Sequence, residues 1–258
     1  MTGTVLLEHK IVGNGAPLVL LHGLFGSKEN LGMLARPLAE QFQVISVDLR
    51  NHGRSFHAPT MNYPVMAADV CRLLDHLQIS QASVLGHSMG GKVAMQMALS
   101  HPARIIKLVV ADIAPAAYAQ HHQDILQGLQ LIDSTELQSR QQADEILKPF
   151  EPDLATRQFL LTNLYRDAEK KLGLRLNIEA ITRHQQDICD AVSGPPFKGP
   201  TLFIRGGNSD YIQDIHLPVI KALFPHFQLE TVPNAGHMLH AEQPQEFLAR
   251  VVKFLVTE

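Results

Sequence analysis

Short runs of β-branched and other apolar residues alternate with amphipathic helical segments in this chain of 258 residues, and this alternation constrains the fold most strongly. The predicted strands lie near Leu7–Val12 and at Leu18–Leu21, Val44–Val47, Ser83–Leu85, Lys107–Ala111, Thr201–Ile204 and Leu229–Val232. The predicted helices are Tyr63–Leu77, Gly90–Leu99, Leu217–Leu223 and Pro244–Leu255. Several strands are continuous apolar runs, as expected for strands buried on both faces. The pattern predicts an α/β fold, with a mainly parallel sheet and helices on both faces.

The alternation breaks after Asp112, where helical patterns continue without any strand pattern. Two helical stripes are predicted from the apolar residues Ile125, Leu129 and Ile132, and Ile178, Ile181, Ile188 and Val192. Asp133 with Glu136 indicates a capping box that opens a further helix. The predicted domains are a core of residues 1–112 and 197–258 and a helical cap insertion of residues 113–196. In the alternative interpretation, these helices belong to the layers that flank the sheet.

Composition and charge exclude several classes of partner. The formal net charge of −3 provides no basic field for nucleic acid or an anionic membrane. The amino terminus lacks the pattern of a signal peptide, and no apolar run reaches the roughly 18–20 residues of a membrane span. The two cysteines, Cys71 and Cys189, are too few for a disulfide framework and match no metal spacing. We therefore expect a cytoplasmic protein without nucleic-acid or membrane partners; its oligomeric state is not readable from the sequence.

The strongest chemical signal is a G-x-S-x-G motif centred on Ser88, directly after a predicted strand and before a predicted helix. In this setting the turn is so tight that the central serine projects its hydroxyl outward, and only glycines avoid a clash on either side. The alternative is a serine that caps the helix. The strand–turn–helix context favours Ser88 as a nucleophile.

A serine hydroxyl needs a base that takes its proton as it attacks. The best candidate is His237, because it follows Gly236 in a loop after the last predicted strand, where the fold places its histidine. His240, one helical turn further on, is the alternative base.

Two further loops have the composition of an active-site surround. Residues 21–26 read Leu-His-Gly-Leu-Phe-Gly after a strand, which suits an oxyanion hole formed by the N–H groups of Leu24 and Met89. A plain turn is the alternative for this loop. The polar loop of residues 48–55 follows the next strand, and its Asp48 and Arg50 are expected to pair and brace the site.

Together these stretches resemble the α/β-hydrolase superfamily, from about Leu18 to the end of the chain and most weakly in the insertion. The motifs are H-G-L-F-G, D-L-R-N-H-G-R-S, G-H-S-M-G-G-K and N-A-G-H-M-L-H-A-E. Residues 112–115 (Asp-Ile-Ala-Pro) and 206–209 (Gly-Gly-Asn-Ser) resemble, more narrowly, the small bacterial YbfF-type esterases. The resemblance implies ester or acyl-thioester hydrolysis under a helical cap, without a metal or organic cofactor. It argues against dehalogenases and epoxide hydrolases, which use aspartate in place of Ser88.

The acidic member of the expected Ser-His-Asp triad has two candidates. Asp210 follows the Thr201–Ile204 strand, the commoner position in the superfamily, whereas Asp112 precedes the insertion. Either carboxylate can orient His237 and stabilise its imidazolium form. The YbfF-type pattern favours Asp112, and the other aspartate is then a turn or cap residue.

The substrate is the least constrained part of the prediction. We expect a short- to medium-chain aliphatic acyl ester or thioester, including acyl-CoA, because the chain has no tryptophan and few aromatic residues. The candidate pocket residues are Phe25, Met238, Phe159, Leu160 and Tyr165. The last three alternatively pack the core of the cap. The alternative functions are a C–C bond hydrolase or perhydrolase-like enzyme on the same fold and, less favoured, a non-catalytic binding protein.

Overall fold

A computed structural model describes residues 5–257, so that residues 1–4 of the amino-terminal segment considered for a signal peptide lie outside the described residues. The strands are β1 (His9–Val12), β2 (Ala16–Leu21), β3 (Phe42–Val47), β4 (Ala82–His87), β5 (Ile105–Ala111), β6 (Leu164–Arg166), β7 (Leu172–Leu174), β8 (Thr201–Gly206) and β9 (Phe227–Val232). The helices are α1 (Gly32–Leu38), α2 (Tyr63–His76), α3 (Met89–Ser100), α4 (Gln123–Ser134), α5 (Arg140–Leu147), α6 (Leu154–Leu161), α7 (Ile178–Arg183), α8 (Gln185–Cys189), α9 (Leu217–Leu223), α10 (Leu239–Glu242) and α11 (Pro244–Val256).

Seven strands form one sheet in the order β1-β3-β2-β4-β5-β8-β9. All neighbours pair in parallel except β1, which lies antiparallel to β3 at one edge. Because the strands run in parallel, the carboxyl ends of β4, β5 and β8 meet at one edge of the sheet. This confirms the prediction of an α/β fold with a mainly parallel sheet.

The sheet is covered by helices on both faces because successive side chains of a strand point in opposite directions. In β2, Val19 and Leu21 pack in the larger core with α2 and α3. Leu18 and Leu20 pack in the second core with α1 and α11. All four residues are fully buried, which explains why the strand reads as an uninterrupted apolar run.

The segment between β5 and β8 holds five helices and one β-hairpin. The expectation of no strand here is wrong, because β6 and β7 pair antiparallel. The predicted capping box is wrong as well: α4 continues to Ser134, and α5 begins after Ser139, whose hydroxyl accepts from the N–H of Gln142. The division of the chain into a core and a cap at residues 113 and 196 stays a prediction.

None of the helices described within residues 5–257 is long and apolar enough to cross a bilayer. Cys71 in α2 and Cys189 in α8 are both buried free thiols. The cytoplasmic location stays a prediction.

Candidate active site

Ser88 stands on a strained turn between β4 and α3, with φ 53° and ψ −122°. The glycines two residues to either side make this turn sterically accessible. A Cβ on Gly86 would collide with the backbone of Gly90, and a Cβ on Gly90 would collide with the backbone of Leu21. A non-glycine residue held in such a region costs on the order of 1–3 kcal/mol, so the surrounding contacts fix Ser88 in place.

Ser88, His237 and Asp112 form one continuous hydrogen-bonded chain. The Ser88 hydroxyl faces His237 Nε2 at 3.0 Å, and His237 Nδ1–H donates to Asp112 Oδ2 at 2.8 Å. Asp112 is fully buried, whereas the side chain of His237 is 28% exposed. In this arrangement the imidazole can accept the serine proton while the carboxylate fixes its tautomer.

The Asp112 carboxylate is held from several directions at the end of β5. The N–H of Gly206 donates to Oδ1 at 2.9 Å, and the hydroxyl of Ser209 donates to Oδ2. Asp112 has a positive φ of 52°, which turns its side chain away from the strand direction. Asp210, the alternative acid, is exposed and accepts instead from the side-chain amide of Gln213 at 3.2 Å.

The loop that carries His237 is braced by Glu242 of α10. The carboxylate of Glu242 accepts from the N–H groups of Gly236 at 2.7 Å and Met238 at 3.2 Å. The left-handed residue of this loop is Asn234, with φ 58°, rather than Gly236. His240, the alternative base, is buried beside His87 at a ring-centroid distance of 4.5 Å, and the Ser88 hydroxyl faces His237 instead.

The loop after β2, residues 22–26, packs directly against Ser88. A Cβ on Gly23 would lie 3.3 Å from the Cβ of Ser88. The Gly26 N–H donates to Gly23 O at 3.0 Å, which closes a β-turn whose third residue, Phe25, has φ 61°. No acceptor within residues 5–257 takes the N–H of Leu24, and Met89, as first residue of α3, has no acceptor inside its helix. Neither predicted oxyanion donor is therefore engaged in a hydrogen bond within the described residues, and Met89 directly follows Ser88.

Two neutral histidines support this loop: His22, which belongs to it, and His52 of the loop after β3. Burial lowers the pKa of His22 and lowers that of His52 to about 3. His22 Nδ1–H donates to Gly23 O at 2.8 Å, and its Nε2 accepts from the N–H of Leu49 at 3.0 Å. His52 Nε2 accepts from the N–H of Phe25 at 3.2 Å. Neutral rings can accept and donate at once, so these histidines connect two loops of the site.

The expected pair between Asp48 and Arg50 is wrong, because each side chain has a different partner. Asp48 binds Lys28 Nζ at 2.8 Å, and the Arg50 guanidinium binds Asp69 of α2 at 2.5 Å. Both pairs are buried. Burial acts to raise the pKa of Asp48, but hydrogen bonds from Lys28 and the N–H of Arg54 outweigh it and lower that pKa. The loop braces the site as expected, through other pairs.

A cavity of about 810 Å³ opens beside Ser88. Three predicted pocket residues, Phe25, Phe159 and Met238, line it. The other two do not. Leu160 is 1% exposed and packs in the larger core. Tyr165 of β6 lies beside Arg175, with 5.4 Å between the guanidinium carbon and the ring centre. Their assignment as pocket walls is wrong, because each turns away from the cavity.

Sequence reasoning missed several polar residues that line the cavity. Tyr211 stacks on the His237 ring, and its hydroxyl donates to His121 Nε2 at 2.7 Å. Tyr118 donates its hydroxyl to the carbonyl of Tyr211 at 2.5 Å. Lys92, 1% exposed, lines the cavity; burial lowers its pKa to about 8. The sequence offered two signals for these residues: Tyr211 directly follows Asp210, and Lys92 lies one helical turn after Ser88.

Comparison with known proteins places the chain among hydrolases. A family model described as alpha/beta hydrolase fold matches residues 16–131. The chain is 39% identical over 243 residues to esterase YbfF of Escherichia coli, with 94% of each chain covered. It is 38% identical over 252 residues to the sn-1-specific diacylglycerol lipase ABHD11 of Danio rerio, covering 94% of this chain and 79% of that protein.

Its structure resembles that of a marine microorganism esterase, with a TM-score of 0.94 and 38% identity, covering 97% of this chain and 100% of that one. The fold, the motifs and these identities agree over nearly the whole length. The chain therefore belongs to the α/β-hydrolase superfamily and is related to the YbfF-type esterases within it.

Proposed function

We propose that this protein is a serine esterase that hydrolyses carboxylic esters or acyl thioesters through an acyl-enzyme. The observation that carries the proposal is the hydrogen-bonded chain from Ser88 to Asp112, in which His237 contacts Ser88 Oγ at 3.0 Å and Asp112 Oδ2 at 2.8 Å. The esterase and lipase names of the relatives support the same reaction class.

In the acylation half, Ser88 Oγ attacks the acyl carbon while its proton moves to His237 Nε2. The carbonyl π electrons move onto oxygen, and the N–H groups of Leu24 and Met89 stabilise the resulting oxyanion. The intermediate collapses, the bond to the leaving group breaks, and His237 protonates the departing alcohol or thiol. Asp112 orients the imidazole and stabilises its charged form throughout.

In the deacylation half, a water molecule attacks the acyl carbon of the serine ester. His237 takes the water proton, the same two N–H groups hold the second oxyanion, and His237 then returns a proton to Ser88 Oγ. The products are a carboxylic acid and the free enzyme. No step requires an additional co-reactant.

The cavity supports a small acyl substrate. Its volume of about 810 Å³ lies within the range of pockets that bind small molecules, and Leu24, Phe25, Ile125, Phe159 and Ile188 give it apolar walls. Several of these walls come from the segment between residues 113 and 196, which we propose acts as a cap over the core. We propose short- to medium-chain aliphatic acyl groups, on either an alcohol or a coenzyme A leaving group.

The experiment is a rate comparison across p-nitrophenyl esters from acetate to laurate and the acyl-CoA thioesters of the same acids. Wild-type protein is expected to hydrolyse at least one series, with an initial burst of one product equivalent where deacylation is slower than acylation. Ser88→Ala is the matched control and is expected to lose activity by several orders of magnitude. Full activity in Ser88→Ala would remove Ser88 from its role, and a diketone turned over far faster than every ester would favour the C–C hydrolase instead.

A further inference from the structure

The backbone of Phe25 is hydrogen-bonded on both sides by residues that take no part in the reaction steps. Its N–H donates to His52 Nε2 at 3.2 Å, and its carbonyl accepts from the side-chain amide of Asn163 at 2.7 Å. His52 belongs to the loop after β3, whereas Asn163 lies between α6 and β6 in the segment after β5. The two flanking peptide groups of Phe25 are thus tied to opposite parts of the molecule.

Phe25 needs such support because it occupies a position of the turn that favours glycine. Its φ of 61° is in the left-handed region, where a side chain is held only if the surrounding contacts require it. The turn also fixes the preceding residue, Leu24, whose N–H remains without an acceptor in the described chain. A shift of the Phe25 peptides would therefore change the direction of the Leu24 N–H.

Both supporting side chains are themselves fixed. Asn163 is 3% exposed; its amide also donates to Leu160 O at 3.0 Å, so that both of its N–H groups are used. His52 is fully buried; its Nδ1–H donates to Arg50 O at 3.0 Å, which leaves the Nε2 lone pair directed to the Phe25 N–H. Because burial lowers the pKa of His52 to about 3, the ring stays neutral and keeps that lone pair near neutral pH.

We propose that Asn163 and His52 are positioning residues for the oxyanion hole, which act through Phe25 to aim the N–H of Leu24 at the substrate oxyanion. The segment after β5 then contributes to transition-state stabilisation as well as to the walls of the cavity. This inference rests on the proposed esterase function, because it assigns how one of its two oxyanion donors is held.

The test compares a transition-state mimic with a ground-state mimic. An alkyl trifluoromethyl ketone adds to the active serine and places an oxyanion in the hole, whereas the matched methyl ketone fills the pocket largely without adding. For Asn163→Leu we expect kcat to fall by about 10- to 100-fold and the Ki of the trifluoromethyl ketone to rise by a similar factor. The Ki of the methyl ketone should change by less than about threefold, because the cavity wall remains.

Gln96→Leu is the matched control, because Gln96 is also a buried amide that reaches across to the segment before β8, donating to Ser193 O at 3.1 Å. It does not contact the oxyanion loop, so its loss should lower the unfolding temperature without changing the ratio of the two Ki values. His52→Leu should reproduce the effect of Asn163→Leu, and His52→Gln, which retains an acceptor near the Nε2 position, should restore part of it. If Asn163→Leu does not fold, Asn163→Ser and the two His52 variants carry the same test.

An unchanged kcat and an unchanged ratio of Ki values in folded Asn163 and His52 variants would overturn the inference while the esterase function stands. The same ratio change in Gln96→Leu would also overturn it, because the effect would then follow from general loosening. A wild-type protein that neither hydrolyses esters nor binds the trifluoromethyl ketone more tightly would instead overturn the proposed function itself.

Discussion

The ring of Tyr211 lies face to face with the imidazole of His237, with centroids 4.0 Å apart and planes inclined by 23°. Two hydrogen bonds hold Tyr211 in this position: its carbonyl accepts from the Tyr118 hydroxyl, and its own hydroxyl donates to His121. Burial raises the pKa of Tyr211 to about 12, so the phenol stays neutral. The stack restrains one face of the His237 ring, and the His87 ring lies 4.8 Å away between centroids.

Replacement of Tyr211 by leucine should therefore lower kcat by roughly two- to tenfold. This factor corresponds to the loss of an aromatic pair that contributes about 0.5–1.5 kcal/mol. Tyr211→Phe keeps the ring and loses only the bond to His121, so its kcat should stay close to that of the wild type. Steady-state kinetics of the two variants decide the point. Equal losses in both would assign the effect to the hydroxyl rather than to the stack.

Asp112→Asn should reduce kcat by about 10⁴-fold, as in other triads where an amide holds the histidine in the wrong tautomer. Asp210→Asn is the matched control, because Asp210 is exposed and contacts Gln213 rather than His237. Its kcat should remain within about twofold of the wild type. A large loss in Asp210→Asn together with an active Asp112→Asn would reverse the assignment of the acid.

The sheet was predictable from sequence because most of its strands are buried on both faces and read as apolar runs. Helix α1 escaped prediction because it begins at Gly32 and contains Pro37, and both residue types are unfavourable inside a helix. The hairpin of β6 and β7 escaped because each strand has three residues, too few to show a period of two. Local patterns thus identified the elements with a clear apolar pattern and missed those without one.

The site residues that could be predicted are likewise those with a local sequence pattern. Ser88 and His237 lie in turns whose chemistry is local, so their motifs are readable. Asn163 and Phe25 are 138 residues apart, and no local pattern reports that a buried amide meets that carbonyl. Asp48 and Arg50 are two residues apart, yet they pair with Lys28 and Asp69, which lie 20 and 19 residues away in the chain, so no local pattern reports either pair.

The buried pair of Asp48 and Lys28 predicts a strong effect on folding. Asp48→Ala leaves the buried Lys28 ammonium with only the half-exposed carboxylate of Glu8, at 3.5 Å, and removes the acceptor of the Lys28 and Arg54 N–H groups. The free energy of unfolding should therefore fall by about 3–5 kcal/mol. Asp75→Ala is the matched control, because the Asp75 side chain is 65% exposed in its pair with Arg104 and should cost no more than about 1 kcal/mol. Urea denaturation measures both. If both variants lost an equally small free energy of unfolding, the buried pair of Asp48 and Lys28 would not contribute to stability as expected.

The burial of His240 should make the free energy of unfolding depend on pH. Burial, reinforced by the charge of His237, lowers the pKa of His240 from 6.5 to about 4. The unfolded chain therefore takes up this proton more readily than the folded chain, so that stability is full above pH 6.5 and is lost as the pH falls toward 4. As the pH falls from neutral toward the lower part of this window, the free energy of unfolding of His240→Leu should rise by about 2–3 kcal/mol relative to that of the wild type.

Urea denaturation of the wild type and His240→Leu at both ends of that pH window is the measurement. A difference between the two proteins that does not change with pH would show that His240 titrates normally in the folded state. His87, 4.5 Å away between ring centroids, is present in both proteins, so that its own contribution largely cancels in the comparison.

The activation of Ser88 is tested by reaction of the folded protein with a fluorophosphonate probe, followed by mass spectrometry of the labelled peptide. We expect one label, on Ser88, that is lost in His237→Ala, because the hydroxyl becomes a nucleophile only when the imidazole takes its proton. Absence of labelling in folded wild-type protein, or labelling that persists unchanged in His237→Ala, would contradict this expectation.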